Sequence, residues 1–341
     1  MTSPVVTFTP AWIDACALVR LFIPHLHLPK SRFVFHAVRT PVEKFLEGEI
    51  VVVQRQCSAG NMQALKSMHD MGLKVIYDLD DDLWGIPGSS PAKRIFEPVK
   101  EGFGRCMEFC DAITVSTEPL RTAVRTAEPQ LTKRKEIFVV PNGIDFDYMR
   151  EPLLPKPEGT VTVGWGGSNT HAGDIGVAWQ VLPELLHQLP QMRLEFVGMN
   201  PPKKIIGHER VRMREFCPVG EYMSRYPAWG WDITLAPLDN VRFNRSKSGL
   251  KALEAAAIGA VCLMSPVKPY EDICNLSTET KWLLCRSPQQ WRDKIKALVE
   301  DESLRKQMAE ALRKVVAENF AQDKLMPKWH DVFSYVTEQK C

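Results

Sequence analysis

Pro237-Leu-Asp-Asn-Val-Arg-Phe-Asn-Arg-Ser-Lys-Ser-Gly-Leu-Lys-Ala-Leu-Glu254-Ala-Ala-Ala-Ile-Gly259 is the stretch on which the fold turns. An apolar run at 233–236 leads into it, and a second at 260–264 follows it. Strand, polar loop, helix and strand in that order make one βαβ step of a parallel sheet. The spacing predicts a helix over 247–258 that begins near Ser246 and ends at Gly259, a residue type suited to a helix C-terminus. Its first free N–H groups and the positive end of its dipole would face the loop as an anion site, with Gly249 and Leu250 in that first turn. Arg242, Arg245 and Lys247 add formal positive charge there, and Ser246 or Ser248 is placed to cap the helix. Glu254 lies about two turns on from Ser246, where a carboxylate could accept hydrogen bonds from both hydroxyls of a ribose. The stretch thus suits a diphosphate cradle with a ribose carboxylate. The plain alternative is a capped surface helix with a solvated Lys/Glu face.

Alternation extends in both directions. Upstream, strands are expected at 31–38, 49–54, 74–79, 112–116 and 137–140, with helices at 61–71, 103–110 and 118–126 between them. The run at 151–159, EPLLPKPEG, holds three prolines and reads as a stiff linker. After it come strands at 160–165 and 193–197, a helix at 176–189, and helices at 288–300 and 304–319. Strands buried on both faces and alternating with helices argue for parallel sheets covered on each side. The expected architecture is α/β, with two Rossmann-like doubly wound units facing a cleft: residues 1–150, the linker 151–159, residues 160–319, and a final helix in 320–341.

Composition removes several classes. The chain has 341 residues, 45% apolar and 25% charged, with a formal net charge of +2. Two domains of ordinary size fit that length, and no global field announces a nucleic acid or a membrane. Nine Cys, an odd number with no C-x-x-C, point to small buried hydrophobes in a reducing compartment. Cys106 and Cys110, four apart, are expected to pack rather than bind zinc. No secretory signal and no spanning apolar segment is visible, so a soluble cytoplasmic protein is expected.

The motif at 242–259 resembles the signature of retaining GT-B glycosyltransferases of the group 1 type. That family carries two Glu separated by seven residues, the second a ribose ligand and the first near the donor sugar. Glu254 matches the second, whereas Ser246 stands at the first. Ser-Lys-Ser-x-x-Lys-x-x-Glu at 246–254 resembles a short bacterial and phage-encoded subset with the same substitution. Val139-Val-Pro-Asn-Gly-Ile-Asp145 resembles the turn at which the family's first domain hands over to the second. Its Asn-Gly pair is expected to supply left-handed backbone angles for a tight turn. Val163-Gly-Trp-Gly-Gly-Ser168, followed by His171 and Asp174, resembles the donor-side glycine loop. Gly166, Gly167, Ser168 and His171 are therefore expected near the donor; for His171 the alternative is a helix cap. Residues 320–336, with Trp329 and Phe333, resemble the helix that crosses back to the first domain.

The acceptor side is expected in the first half. Tyr77-Asp-Leu-Asp-Asp-Asp-Leu-Trp84 places four acids at the end of an apolar strand. Asp80 or Asp81 would orient the acceptor hydroxyl or take its proton, with Asp78 and Trp84 as acceptor contacts. A solvated capping turn or a divalent-cation site is the alternative. His36 is a weaker catalytic candidate, and Arg20 resembles an element of the same subset that faces the cleft.

The resemblance implies transfer of a hexose from a nucleotide diphosphate sugar, of the UDP-glucose type, with retention by front-face attack. No metal is strictly required, because cationic side chains stabilise the leaving group; a divalent cation is the alternative. Two acceptors compete: a hydroxymethylated pyrimidine in double-stranded phage-type DNA, and a cell-surface or lipid-linked glycan. Two basic clusters, 121–135 and 203–214, would suit DNA if they border the cleft. A non-catalytic nucleotide-sugar-binding protein, or a sugar-nucleotide epimerase of related fold, are the readings of another class.

Overall fold

A computed structural model describes residues 4–34, 48–149 and 157–338. Two all-parallel sheets carry the chain. The first has strands β1 (Val6–Pro10), β2 (Ser31–Phe33), β3 (Ile50–Gln54), β4 (Lys74–Leu79), β5 (Ala112–Val115) and β6 (Glu136–Val139), in the order β2-β1-β3-β4-β5-β6. The second has β7 (Val161–Gly166), β8 (Met192–Val197), β9 (Val211–Arg214), β10 (Ile233–Ala236) and β11 (Val261–Met264), in the order β11-β10-β7-β8-β9. In the first sheet β1, β3 and β5 are buried along their whole length, as expected of strands covered by helices on both faces.

Three elements depart from the expectation. Strand β1 escaped the pattern, because VTFTP alternates Thr with apolar residues and ends in Pro, yet every residue of it is buried between β2 and β3. Strand β9, VRMR, lies at a sheet edge with two exposed residues, so its charge masks its strand character. The strand expected at 31–38 is Ser31–Phe33; residues 35–47, His36 among them, lie outside the described residues, as do 151–156 of the linker.

The handover turn is also corrected. Gly143 does not take positive φ. It is needed for closeness: a Cβ there would collide with Gln322 and reach 3.0 Å from Leu325. Two bonds fasten this crossing, Ile144 N–H to the Phe320 carbonyl and Gln322 N–H to the Ile144 carbonyl, each 2.9 Å. The helix Gln322–Glu338 then returns to the first sheet. Trp329, Val332, Phe333 and Val336 pack in one core with Val6, Phe8, Ile50 and Ile76. Among the described residues no helix is long and apolar enough to cross a membrane.

Candidate active site

The carboxyl ends of β4, β7 and β10 look onto one cavity of about 320 Å³. Its second-sheet wall carries Gly166, Gly167, Ser168, Thr170, His171, Tyr222, Lys247, Ser248, Leu250, Lys251 and Glu254. Its first-sheet wall carries Ala15, Cys16, Val19, Asp80, Asp81 and Asn142.

The glycine loop leaves β7 at Gly166. A Cβ on Gly167 would stand 2.9 Å from the Trp165 ring, so the loop lies flat against that indole. Ser168 caps a short turn, Asn169–His171, through its side chain and the Thr170 N–H. His171 Nδ1 lies 2.9 Å from Asp174 Oδ2. Asp174 in turn accepts from the Asp239 N–H at 3.1 Å and Asn244 Nδ2 at 2.7 Å. One carboxylate thus ties the glycine loop to the loop after β10. Burial pushes the His171 pKa below its ordinary value, although the bond to Asp174 opposes it.

The helix in the key stretch begins later than expected. It runs Leu250–Ala257, with Gly249 as N-cap and no side-chain cap, so neither Ser246 nor Ser248 caps it. A separate turn of helix occupies Arg242–Arg245. Gly249 is needed because a Cβ would meet Ile273 and come to 3.0 Å from the Pro269 carbonyl. Among the described residues the backbone N–H groups of Ser248 and Gly249 have no protein acceptor, as the first turn of a helix leaves them. Lys247 and Ser248 line the cavity beside them.

Glu254 sits one turn into this helix and is 4% exposed. Tyr222 donates to its Oε1 at 3.1 Å. Desolvation pushes the Glu254 carboxyl up to about 7, against the opposing pull of Lys251 and the Tyr222 bond. Lys251, three residues before Glu254, donates to the Gly166 carbonyl and stands 5.4 Å from the Trp165 ring centroid. Burial pulls its pKa down. Neither Lys251 nor Tyr222 was expected. For Lys251 the signal was present: with the helix starting at Leu250, positions 251 and 254 share a face.

Across the cavity, Asp80 and Asp81 enter the wall as expected, but their settings differ. Burial raises the pKa of Asp80, and Arg55 opposes this only in part. Burial also acts on Asp81, yet Lys247, with Nζ 3.0 Å from Oδ1, and Arg55 outweigh it and hold its carboxyl low. Arg55 is the one non-glycine residue of positive φ among the described residues, at 50°. It reaches Asp14 at 2.8 Å and Asp80 at 3.5 Å. A bulky residue held in that conformation is strained, and its two carboxylate partners are what fix it.

Five sequence candidates are placed elsewhere. Arg20 and Asp78 are 1% and 0% exposed and bind each other through two bonds, Arg20 also reaching the Val140 carbonyl and Asn142. Neither is open to an acceptor; together they lock β4 to the handover turn. Trp84 packs edge-on to Phe103 at 6.0 Å and is not part of the cavity wall. Arg242 is paired with the buried Asp82 at 2.9 Å, outside the cavity wall. Ser246 is buried and turns its hydroxyl back to the Arg242 carbonyl at 3.3 Å.

Cys16, Asp80 and Asp81 offer three ligand atoms within 4.8 Å of one another. Arg55 and Lys247 already face these carboxylates, so a cation there would meet two positive neighbours. The basic clusters do not border the cavity. Arg210 spends its guanidinium on the Leu186, Leu189 and Met192 carbonyls, Arg214 pairs with Glu195, and Arg121 with Glu118. Cys106 and Cys110 are buried and free, as expected of packing residues.

Residues 180–330 match the family model described as "Glycosyl transferase-like". No curated protein matches the sequence. Among solved structures the chain is similar to sucrose-phosphate synthase from Thermosynechococcus elongatus, with a TM-score of 0.67 and 14% identity over 97% of this chain and 99% of that one. It is similar to Anabaena HepE in complex with UDP, with a TM-score of 0.63 and 12% identity over 96% and 99% of the two chains. It is also similar to a mutant of S. aureus TarM solved with UDP and alpha-GlcNAc-glycerol, at a TM-score of 0.56 and 12% identity over 83% of this chain. It spans only 55% of the TarM chain. The segment 180–330 is thus similar in sequence to glycosyl transferases, and the chain as a whole shares the two-sheet GT-B fold of these structures.

Proposed function

We propose that this protein transfers a sugar from a nucleoside diphosphate to an acceptor hydroxyl, with donor and acceptor meeting in the cavity between the two sheets. One observation carries the reading. Lys247, the unpartnered N–H groups of Ser248 and Gly249, Lys251 and the buried carboxylate of Glu254 converge on one wall, opposite Asp80 and Asp81. Cationic groups and N–H donors suit a departing diphosphate, and Glu254 suits ribose hydroxyls. Asp80 or Asp81 would orient the acceptor. In this division of labour residues 1–150 serve the acceptor, 160–319 the donor, and the helix in 320–341 joins them.

The first-half wall is small and acidic, and the basic clusters lie off the cavity wall, so a saccharide hydroxyl suits it better than duplex DNA. Retention follows from the resemblance, with the leaving diphosphate receiving the acceptor proton. One feature favours a second reading. Ser246, where the family has Glu, is turned away from the cavity, so a binding protein without turnover is the competitor. Mass spectrometry after incubation with a panel of sugar nucleotides, saccharide acceptors and hydroxymethylated DNA separates the two. Donor cleavage or transfer that collapses in Glu254→Ala and Lys247→Ala supports the enzyme. Donor binding with no turnover on any acceptor supports the competitor.

A further inference from the structure

The loop 239–249 belongs to the second sheet, yet two of its three cations are held by the first, while Arg245 bonds to Asn240 within the loop. Lys247 pairs with Asp81 at 3.0 Å, and Arg242 with Asp82 at 2.9 Å. Thr117 Oγ1 donates to the Ser246 carbonyl, and Asn142 Nδ2 to Ser248 Oγ, both at 2.7 Å. The two ion pairs are unequal. Asp82 is fully buried and its Oδ1 also accepts from the Gly85 N–H at 3.0 Å, so its pair with Arg242 is a fixed clasp outside the cavity wall. Asp81 and Lys247 both line the cavity, with side chains 20% and 21% exposed. That pair is open to whatever enters.

The setting of Lys247 is lopsided. Among the described residues the N–H groups of Ser248 and Gly249 beside it lack protein acceptors, and Lys251 stands one turn further on. An ammonium is a point charge with three rotatable donors and no commitment to one acceptor. Among the described residues only one carboxylate, Asp81, is bonded to this ammonium, and it comes from the opposite wall.

We propose that Asp81 holds the place of the donor's diphosphate: it occupies Lys247 in the free protein and yields it when a nucleoside diphosphate enters, which frees the Asp81 carboxylate toward the acceptor. The inference rests on the donor site proposed above. A diphosphate brings more negative charge than one carboxylate and also satisfies the idle N–H groups, so it wins the exchange. No covalent bond changes, and Lys247 keeps its proton. The acceptor-side carboxylate thereby becomes available only once the donor is bound.

Calorimetric titration of UDP, GDP and ADP, with pyrophosphate as a further probe, tests this on the wild type, Asp81→Asn, Lys247→Ala and the double variant. Removing the competitor should tighten nucleoside diphosphate binding in Asp81→Asn by roughly three- to tenfold. The gain should vanish when Lys247 is also absent. An Asp81 with a merely structural role would give a loss or no change. Unchanged or weaker binding in Asp81→Asn, or a gain that persists without Lys247, overturns the exchange while leaving the donor site standing. A wild type that binds none of the four probes overturns both. Asp81→Ser carries the same expectation if Asp81→Asn does not fold.

Discussion

The second-sheet wall of the cavity is cationic and rich in backbone donors; the first-sheet wall is acidic and assembled from scattered pieces. Most polar groups of the former come from two short segments, 166–171 and 247–254, joined by Tyr222. Those of the latter come from Cys16, Asp80, Asp81 and Asn142, which the fold gathers from three separate stretches of chain. The contrast matches what group transfer asks of two walls. A leaving diphosphate needs stabilisation of negative charge, whereas an incoming hydroxyl needs an acceptor for its hydrogen bond. It also separates residues that line the cavity from those that hold the walls together, since Arg20 is spent on Asp78 and Arg242 on Asp82.

The sharpest way to test that separation is Arg20→Ala. It leaves Asp78 as an unpaired buried charge and should cost about 3–5 kcal/mol of stability, measured by denaturant unfolding. A stable variant with a raised acceptor KM would instead return Arg20 to the acceptor site. Lys247→Ala should lower kcat/KM by about 10²- to 10³-fold, the loss of one preorganised charge at a developing anion. Glu254→Ala should weaken nucleoside diphosphate binding by about 10- to 100-fold, because ribose hydroxyls lose a charged acceptor; binding unaltered by this change would remove Glu254 from the nucleotide site.

The pH dependence probes the same carboxylate more gently. Glu254 titrates at about 7, above its ordinary 4.5, and is therefore largely protonated in mildly acidic solution. Ribose hydroxyls favour the ionised form, so affinity for a nucleoside diphosphate should rise several-fold between about pH 6 and about pH 8. Glu254→Gln should flatten the curve. In the free protein the sign is opposite. A raised carboxyl contributes stability that is present below its unfolded value and lost as pH rises through 7, so Glu254→Gln should reduce the fall in Tm over that range. The smallest effect is expected at Trp84. Trp84→Ala should leave kcat/KM within about twofold, because the ring packs on Phe103 rather than in the cavity.

Legibility follows the same division. The second sheet's chemistry is local: each segment joins a strand end to a loop or helix start within a few residues, so Lys247 and Glu254 could be named from spacing, and Gly166 and His171 from the resemblance of their glycine loop. Lys251 shares a face with Glu254 in the expected helix as in the observed one, so its place was legible, whereas Tyr222, 32 residues upstream of Glu254, gave no local signal. The first sheet's wall depends on contacts between distant segments. Arg55 meets Asp14 and Asp80 across 41 and 25 positions of sequence, and no periodicity reports that. Arg20, expected at the cleft from its resemblance to an element of the subset, is instead bound to a partner 58 residues away that no local pattern reports. Strand β1 was lost because its alternating threonines, buried in a sheet covered on both sides, imitate a half-exposed strand.

The central claim is that the second-sheet wall holds a nucleoside diphosphate, and a crystal structure of the protein with UDP tests it most directly, or with whichever nucleoside diphosphate binds. The diphosphate should lie against Lys247 and the N–H groups of Ser248 and Gly249, with the ribose hydroxyls on Glu254. A nucleotide bound elsewhere, or one whose ribose leaves Glu254 hydrogen-bonded only to Tyr222, would contradict the account.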